Sequence, residues 1–433
     1  APEGGEGGSD VEAYEGTYLE RLPGDGELAK AIAARALTGT ASIESLKAET
    51  KRMAPPLLYD LSELQRHANR LYGMTAKRTL EVAQRLYETK KLLSYPRTDS
   101  RHLSREVAGT LGEIVRVIGP QYAGKLAPGS GERPLSRRFV DDSKVTDHHA
   151  IIPTSVDPRG VSLDAEEQKL YDLVCRRLLS AWHDDHVYGV TTVLTAVQSQ
   201  ASAASESTLD RYRSVGTAVH EEGWKVLDVV LPKRGRKDGQ KDEEPRLPSG
   251  LKKGQPKQVL SAKALPKQTR PPRRLTDATL LTAMETAGAT LDEKELSAAM
   301  KESGLGTAAT RAGMIETLLR REYLAREGKS LCATDKGIEL IDAVHPDVKS
   351  PLMTGQWEAR LKKLERGEGD LPSFMAGIEE YVRSVVGQVR GGGGGAPNGS
   401  ARPRAVASGS GAMVGSKKAD RNVGTKADKK TAR

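Results

Sequence analysis

The sequence predicts a multidomain α+β chain, because three stretches with different hydrophobic patterns follow one another along its 433 residues. In the first stretch, 55–185, apolar residues recur at helical spacing. In the second, 186–230, β-branched and polar residues alternate as they do in strands. The third, 266–390, returns to helical spacing and contains one predicted hairpin. A chain of this length can form two to four domains, each with its own core.

The composition excludes several classes of protein. With 37% hydrophobic and 29% charged residues, the chain has no apolar run of membrane-spanning length. Its N-terminal stretch lacks the basic and apolar regions of a signal peptide, so we expect a cytoplasmic protein without a membrane partner. Cys175 and Cys332 lie far apart without CxxC spacing, which favours neither a disulfide framework nor a zinc ribbon. No metal-ligand set is predicted in this chain.

The charge distribution points to a polyanionic partner bound through a local surface. The net charge is +9, but residues 391–433 contain nine Lys or Arg and two Asp, which leaves +2 for residues 1–390. We expect this Gly-rich basic tail to be disordered. Aromatic residues make up only 4% of the chain, which favours contacts to phosphates over stacking on bases.

The first elements expected are a helix at 28–37 and a strand at 43–51. After Pro55 and Pro56, the stretch YDLSELQRHANRLY predicts an amphipathic helix with Asp60 and Glu63 at capping-box spacing. Its polar face is expected to meet water or a ligand, and it consists of Gln65, Arg66, Asn69 and Arg70.

A second helix is expected to begin after Thr75 and to end at Lys90 and Lys91. Its buried stripe is predicted to be Ala76, Leu80, Ala83 and Tyr87. The short strand LLSYP should follow, and Ser104 should cap a further helix that runs through Ile118.

Between 186 and 230 the segments GVTTVLTAV, RYRSVGTAV and WKVLDVV are predicted strands. The polar insert 232–250 interrupts this pattern and is expected to be a loop. Farther on, a helix is expected near Asp277, and a second one is expected after the cap residue Thr307.

The segment after Thr307 resembles a winged-helix arrangement, because its helix precedes a predicted hairpin around Gly328. Thr310 and Arg311 lie in the first turn of that helix, where free backbone NH groups favour an anion such as phosphate. Small helix–hairpin units also occur as purely structural modules, so this signal alone is weak.

The segment SYPRTDSR contains the first candidate for chemistry. Proline disfavours a helical conformation for the residue before it, so the side chain of Tyr95 should project from an extended segment. Taken alone, this pattern is better explained by an amphipathic tyrosine at a strand end. A phenol with a pKa of about 10 needs nearby positive charge to become a nucleophile. Arg97 is expected on the same side of the extended chain, where its guanidinium can bind phosphate.

The segment DHHAIIPT contains the second candidate. His148 and His149 should point in opposite directions along an extended chain, which disfavours a shared metal. A histidine that donates a hydrogen bond to phosphate or to a catalytic neighbour is one interpretation, and a plain loop histidine is the other.

Four motifs occur in the order of one known family: SYPRTDSR, DHHAIIPT, GLGTAATRAGMIETLLRREYL and MTGQWEARLKKLERGE. They resemble those of type IA DNA topoisomerases, most closely the bacterial topoisomerase III group, over roughly residues 20–385. The resemblance implies an enzyme that cuts one DNA strand through a 5′-phosphotyrosine intermediate, passes another strand and reseals the break. Tyr95 matches the nucleophile and Arg97 the transition-state arginine. The matched DNA-binding positions are Gln65, His148, Thr310 and Arg311.

The same resemblance implies a toroid-like arrangement of domains. It predicts a split β-rich arch domain at 1–54 plus 186–265, a helical domain with the nucleophilic tyrosine at 55–185, and a winged-helix-like DNA-binding domain at 266–390. The protein is expected to be monomeric and associated with the nucleoid, and to act on single-stranded regions of DNA. Resealing needs no ATP, and the sequence contains no GxxxxGK[ST] loop.

The sequence departs from the family in one respect that bears on activity. We find no acidic DxDxE cluster of the Toprim domain that binds Mg²⁺ in the family, and we expect it upstream of Ala1. Cleavage by this chain alone is therefore doubtful. One alternative is a non-catalytic module that binds single-stranded DNA. A tyrosine recombinase is disfavoured, because its nucleophile would lie in a C-terminal helix instead of preceding a proline.

Overall fold

The computed structural model describes residues 13–145, 147–199, 207–229, 247–290, 304–346 and 348–390. The predicted disordered tail and most of the insert at 232–250 lie outside these ranges. Helices and strands are mixed, and a five-stranded antiparallel sheet and a two-stranded hairpin accompany a larger number of helices. The α+β class is therefore confirmed, whereas the predicted domain boundaries and the toroid-like arrangement stay predictions.

One five-stranded antiparallel sheet combines segments from both sides of the central helical region. Its strands are β1 (Thr17–Tyr18), β2 (Thr40–Met53), β3 (His186–Ser199), β4 (Thr208–Glu221) and β5 (Pro256–Lys257), in the order β1-β4-β3-β2-β5. Helix α1 (Glu27–Thr38) packs on the sheet through Ala36, which is buried with Ala41 and Val197. Arg35 of α1 also donates two hydrogen bonds to the carboxylate of Asp210, which is almost completely buried.

The third predicted strand of this region, WKVLDVV, is wrong. Gly223–Leu227 forms a 3₁₀ turn instead of a strand. Gly223 has a φ of 53°, and a Cβ there would lie 2.4 Å from the carbonyl oxygen of Asp185. The chain thus turns sharply where only glycine fits, and this turn ends the sheet.

The central region is helical and contains the largest core. Its helices are α2 (Leu61–Tyr72), α3 (Ala76–Glu88), α4 (Arg105–Gly109), α5 (Leu111–Ile118) and α6 (Ala165–Leu179). Leu64 and Ala68 of the predicted α2 stripe are completely buried in this core. The predicted stripe of α3 is partly wrong: Ala83 lies in this core together with Val82 and Leu86, whereas Ala76 packs in a second core and Leu80 and Tyr87 are half-buried. Trp182 closes the core after α6, and its indole NH donates to the carbonyl oxygen of Arg133 at 2.7 Å.

The predicted helix caps are confirmed by their hydrogen bonds. The backbone NH of Glu63 donates to Asp60, and the NH of Arg78 donates to Thr75. Ser104 caps the next helix as expected, but that helix does not run unbroken to Ile118. Both the backbone NH and the hydroxyl of Thr110 donate to the carbonyl oxygen of Val107, which tightens the turn and separates α4 from α5.

The C-terminal region contains a helix followed by a hairpin, as predicted. Its elements are α7 (Asp277–Glu285), α8 (Ala308–Arg320), β6 (Leu324–Glu327), β7 (Ser330–Ala333), α9 (Asp335–Ala343), α10 (Pro351–Glu365) and α11 (Leu371–Arg390). Strands β6 and β7 form a two-stranded hairpin around Gly328, and β7 also pairs with the segment before α7, where the NH of Leu331 donates to the carbonyl oxygen of Leu275 at 2.7 Å. Ala76 of α3 is buried together with Leu281 of α7 and Ile315 of α8, so the central and C-terminal regions share a small apolar core.

Three of the four residues of the polar face of α2 are part of this contact, which corrects the expectation that they meet water or a ligand, whereas Arg70 is exposed as expected. Gln65 is completely buried and donates to the carbonyl oxygen of Ala76 at 3.0 Å. Asn69 accepts from the backbone NH of Ala278, and Arg66 pairs with Glu285. A polar helix face can therefore be buried when a second unit supplies its hydrogen-bond partners, and helical spacing alone does not reveal this.

A buried histidine in the central region leads to a testable pH dependence. The hydroxyl of Tyr59 and the imidazole Nδ1 of His67 share a hydrogen bond, and Arg177 donates to the Tyr59 hydroxyl at 3.0 Å. Because Arg177 can only donate, the Tyr59 hydroxyl donates to Nδ1, which must be unprotonated. Burial, with Arg177 and Arg70 nearby, lowers the pKa of His67 to about 4.

We expect the His67→Gln variant to lose part of the acid sensitivity of folding. The unfolded chain binds a proton at His67 below a pKa of about 6.5, whereas the folded chain does so only below about 4. Stability should therefore fall as the pH drops through this window, by up to about 3 kcal/mol. Urea unfolding at pH 7 and pH 4 should show a smaller difference for His67→Gln than for the native chain. The matched variant His220→Gln, at an exposed histidine, should keep the native difference.

Candidate active site at Tyr95

The two candidate motifs are distant in sequence but are joined by hydrogen bonds. The backbone NH of Ser94 donates to the carbonyl oxygen of Ile152 at 2.9 Å, and the NH of Ile152 donates to the Ser94 hydroxyl at 2.9 Å. Four residues farther along the first motif, the hydroxyl of Thr98 donates to the carbonyl oxygen of His148 at 3.1 Å. The segment that bears Tyr95 is thus attached on both sides to the segment that bears His148.

The attachment is irregular and does not form a regular strand. LLSYP contributes only an isolated antiparallel bridge between Leu93 and Pro153, so the predicted strand is reduced to one pair. Lys91, just before it, has a φ of 57°, which is unusual for a residue with a Cβ. The hydroxyl of Thr154 donates to the Lys91 carbonyl oxygen at 2.6 Å and helps to hold this turn.

Tyr95 is half-buried, and its ring lies between two aromatic neighbours. The ring centroid of His148 is 4.3 Å away with a tilt of 48°. On α3, the ring of Tyr87 meets it edge to face at 5.4 Å. His148 is exposed, whereas His149 contacts the carbonyl oxygen of Ala150 through Nδ1 at 2.7 Å. The two histidines therefore have different surroundings, and only His148 contacts the tyrosine.

Arg97 is exposed and is held by one neutral partner. Its Nη2 donates to Oε1 of Gln84 on α3 at 3.2 Å. Among the residues that the structure describes, no carboxylate lies within ion-pair distance of this guanidinium. Its positive charge is thus available to an anion near Tyr95, such as a phosphate group.

Of the other three predicted site residues, Thr310 is exposed at the start of α8, whereas Gln65 and Arg311 lie at the contact between the central and C-terminal regions. Gln65 is buried there, and its Oε1 has no hydrogen-bond partner among the described residues. Thr310 shares its hydroxyl with Thr307 at the start of α8. Arg311 is 5% exposed and donates to the hydroxyl of Ser62 at 3.1 Å and to the carbonyl oxygen of Leu305 at 3.2 Å.

Arg311 is expected to offer its charge to an anion at the start of α8, but here its guanidinium is buried, so a contact of Arg311 with DNA stays a prediction. Its guanidinium turns towards α2, and burial lowers its pKa. The physical reason is that Arg311 satisfies Ser62 and carbonyl groups that the contact between the two regions would otherwise leave unpaired.

The described residues around Tyr95 do not form a set of metal ligands. Within the ranges that the structure describes, no group of three or more His, Cys, Asp or Glu is arranged to hold a metal. The residues around Tyr95 therefore do not fit a Mg²⁺ site. In the same ranges, none of the helices is long and apolar enough to cross a membrane.

A second candidate surface is the segment 247–275, which joins the sheet to the C-terminal region. It contains eight Lys or Arg and no Asp or Glu: Lys252, Lys253, Lys257, Lys263, Lys267, Arg270, Arg273 and Arg274. All are exposed except the half-buried Lys257, and none forms an ion pair with a carboxylate of the described chain. The net charge of residues 1–390 does not reveal this cluster of positive charge. A search for segments without Asp or Glu would have found it.

Gln84 and Tyr87 are the residues near the candidate site that the sequence analysis missed. Tyr87 was assigned to the buried stripe of α3, and Gln84 was not considered. Their spacing of three places them on one side of the helix, but only the folded chain shows that this side meets the Tyr95 segment.

Comparison with known proteins agrees with this geometry. Residues 23–376 match a family described as DNA topoisomerase, which is well over half of the chain. The chain belongs to the DNA topoisomerase family. This confirms the resemblance that the motifs around Tyr95 and His148 indicated.

Two curated members of the family illustrate the similarity. "DNA topoisomerase 3" from Shouchella clausii is 36% identical over 373 residues, which are 84% of this chain and 49% of that protein. "DNA topoisomerase 3" from Bacillus licheniformis is 36% identical over 358 residues, which are 81% of this chain and 47% of that protein. The chain therefore spans about half the length of these topoisomerases.

The fold is also shared with a solved topoisomerase. Full-length topoisomerase I from Thermotoga maritima aligns with a TM-score of 0.60 and 22% identity, and the alignment covers 86% of this chain and 56% of that one. At this identity the match establishes a common fold. It does not carry over the roles of individual residues.

Proposed function

We propose that this family member acts as a type IA DNA topoisomerase, with Tyr95 as the nucleophile that cuts one DNA strand. The proposal rests on the contact between the motifs SYPRTDSR and DHHAIIPT. Tyr95 of the first contacts His148 of the second at 4.3 Å between ring centroids, beside an exposed arginine without a carboxylate partner among the described residues. A phenol, an imidazole and an available guanidinium are the groups that a phosphoryl transfer to tyrosine would use.

The proposed reaction exchanges one phosphoester bond for another. The phenolic oxygen of Tyr95 loses its proton and bonds to the phosphorus, while the bond from phosphorus to the 3′ oxygen breaks. The 3′ oxygen leaves and takes up a proton, and the 5′ phosphate stays on Tyr95. Arg97 would stabilise the negative charge on the phosphate, and His148 would donate a hydrogen bond to it. The reverse attack reseals the strand without ATP.

Residues outside this site would bind Mg²⁺ and would donate the proton to the leaving oxygen. The family resemblance assigns them to a Toprim domain, and the described residues around Tyr95 do not fit a metal. Gln65 and Arg311 would contact DNA only after α2 separates from α7 and α8, because both are buried in that contact. Thr310 is exposed in the first turn of α8 and would need no such change.

Covalent trapping tests the proposal. The full-length gene product is incubated with Mg²⁺ and a 3′-labelled single-stranded oligonucleotide, and the mixture is then denatured. We expect a labelled protein whose modified peptide contains Tyr95 in mass spectrometry. A stable adduct on a different residue, or no adduct under any condition that supports DNA binding, would refute the proposal.

A second candidate function is binding of single-stranded DNA without cleavage. The unpaired cations of 247–275 favour it, because they suit a sequence-independent contact with phosphates. It predicts salt-sensitive binding and no covalent adduct, so the trapping experiment separates the two functions.

We expect binding of a single-stranded oligonucleotide by this chain to weaken steeply with salt, partly through the cations of 247–275. Each phosphate neutralised adds roughly −0.7 to the slope of log K against log salt. The triple variant Lys263→Gln, Lys267→Gln, Arg270→Gln should therefore make the slope less steep by about 2. Fluorescence anisotropy at several salt concentrations measures it.

The matched control removes two lysines and one arginine that are exposed elsewhere: Lys51→Gln, Arg116→Gln and Lys125→Gln. Both triple variants lower the net charge equally, so a general charge effect would change both slopes alike. We expect the salt slope to change only in the variant of 247–275. Equal changes of the slope in both triple variants would contradict a local role of this segment.

A further inference from the structure

One side of α3 contacts two of the three residues that the proposed reaction uses, Tyr95 and Arg97. Gln84 accepts a hydrogen bond from Arg97 at 3.2 Å, and the ring of Tyr87 meets the ring of Tyr95 at 5.4 Å between centroids. Gln84 and Tyr87 are three residues apart, so they are neighbours on the helix surface. The segment SYPR therefore lies along one face of α3.

This face is distinct from the one that holds the helix in the core. Val82, Ala83 and Leu86 are completely buried and account for the packing of α3. Gln84 and Tyr87 are half-buried at the edge of that stripe. Replacing either of them removes a contact to the Tyr95 segment without opening a cavity in the core.

The amide of Gln84 is itself oriented by a second bond. Its Nε2 donates to Oε1 of Glu88, one turn along α3, at 3.3 Å. With the NH₂ group engaged there, Oε1 faces Arg97 as the acceptor. A neutral amide holds the guanidinium without cancelling its charge, whereas a carboxylate in direct contact would compete with a phosphate for it.

We propose that Gln84 and Tyr87 are positioning residues for strand cleavage: Gln84 fixes the guanidinium of Arg97, and Tyr87 fixes the ring of Tyr95. The proposal rests on the function proposed above. Exposed arginine side chains sample many rotamers, and a reacting group displaced by about 1 Å can slow an enzyme about 100-fold. The two contacts restrict both groups from one rigid helix.

The test compares side chains of similar length at position 84. In Gln84→Met the acceptor for Arg97 is lost, whereas Gln84→Glu keeps an acceptor oxygen. With the full-length gene product, Mg²⁺ and a 3′-labelled single-stranded oligonucleotide at saturation, the single-turnover rate of adduct formation is measured. We expect it to fall about tenfold or more in Gln84→Met, and Gln84→Glu to lie between that variant and the native protein. The oligonucleotide Kd should change less than twofold.

Substitutions of Tyr87 provide an independent test. Tyr87→Leu removes the aromatic edge from Tyr95, and we expect the rate of adduct formation to fall about fivefold. Tyr87→Phe keeps the ring and should recover most of that loss. Lys77→Met places the same apolar side chain as Gln84→Met on an exposed position of α3 that is remote from this segment, so it reports any general effect on the helix.

The outcomes separate this inference from the proposed function. If Tyr95→Phe abolishes the adduct but Gln84→Met and Tyr87→Leu form it at the native rate, the positioning roles are refuted and the proposed function stands. Equal losses in Gln84→Glu, Gln84→Met and Lys77→Met would also refute them, since the acceptor would then be irrelevant. If Tyr95→Phe still forms the adduct, the proposed function is refuted, and the positioning roles that rest on it are refuted with it.

Discussion

Replacing Tyr95 with phenylalanine should abolish the covalent adduct between the full-length protein and a single-stranded oligonucleotide. The substitution removes one oxygen, which is the atom proposed to bond to phosphorus. The ring remains, so its contacts with His148 at 4.3 Å and with Tyr87 at 5.4 Å can persist. The loss should exceed a factor of about 1000, on the order of that expected for a missing nucleophile.

The same variant should bind the oligonucleotide with a native Kd and show a native melting temperature. A half-buried phenol whose hydroxyl has no hydrogen-bond partner in the described chain contributes little to stability through that oxygen. Tyr188→Phe, at a half-buried tyrosine in β3, is the matched control and should form the adduct normally. An adduct that persists in Tyr95→Phe at the native level would place the nucleophile elsewhere.

Replacing Asp277 with alanine should destabilise the contact between the central and C-terminal regions by about 3–5 kcal/mol. Asp277 is completely buried at the start of α7. Its Oδ1 accepts from the backbone NH of Ala76 at 3.1 Å, and its carboxylate pairs with Arg326 of β6. Alanine leaves the first amide of α3 and a largely buried guanidinium without this partner, and both carry a desolvation cost.

Urea unfolding monitored by circular dichroism measures the effect as a lower midpoint of the transition that includes the C-terminal region. Asp335→Ala is the matched control, because Asp335 lies in the first turn of α9 but is exposed. The double variant Asp277→Leu, Arg326→Met removes both charges and should lose less stability than Asp277→Ala, since the one carboxylate that then loses its contact with Arg326, Glu316, is partly exposed to water. A single variant as stable as Asp335→Ala would contradict the role assigned to Asp277.

The local structure was largely predictable because it depends on near neighbours. Asp60, Thr75, Ser104 and Thr307 begin helices as their capping signals predict, and β3 and β4 follow from β-branched alternation. The errors occurred where a distant segment or a tight turn overrides the pattern. WKVLDVV has strand propensity but follows Gly223, whose conformation turns the chain away from the sheet.

The candidate site was predictable in its members but not in its geometry. Tyr95, Arg97 and His148 were selected from their motifs, and the structure confirms that Tyr95 and His148 meet. Gln65 and Arg311 were expected at an open surface and lie instead in a contact between two regions. Hydrophobic periodicity describes one helix at a time, so it cannot show that a polar face will be covered by a partner that supplies hydrogen bonds.

The sequence by itself determined the α+β class, most helix starts, the two reactive motifs and the family to which the chain belongs. These depend on residue identity and short spacing, which the chain carries before it folds. Only the tertiary structure decided that the segment of Tyr95 lies between His148 and one face of α3, and that the polar side of α2 is buried. These contacts depend on how the helices and the segments between them pack together, and packing is a property of the whole core.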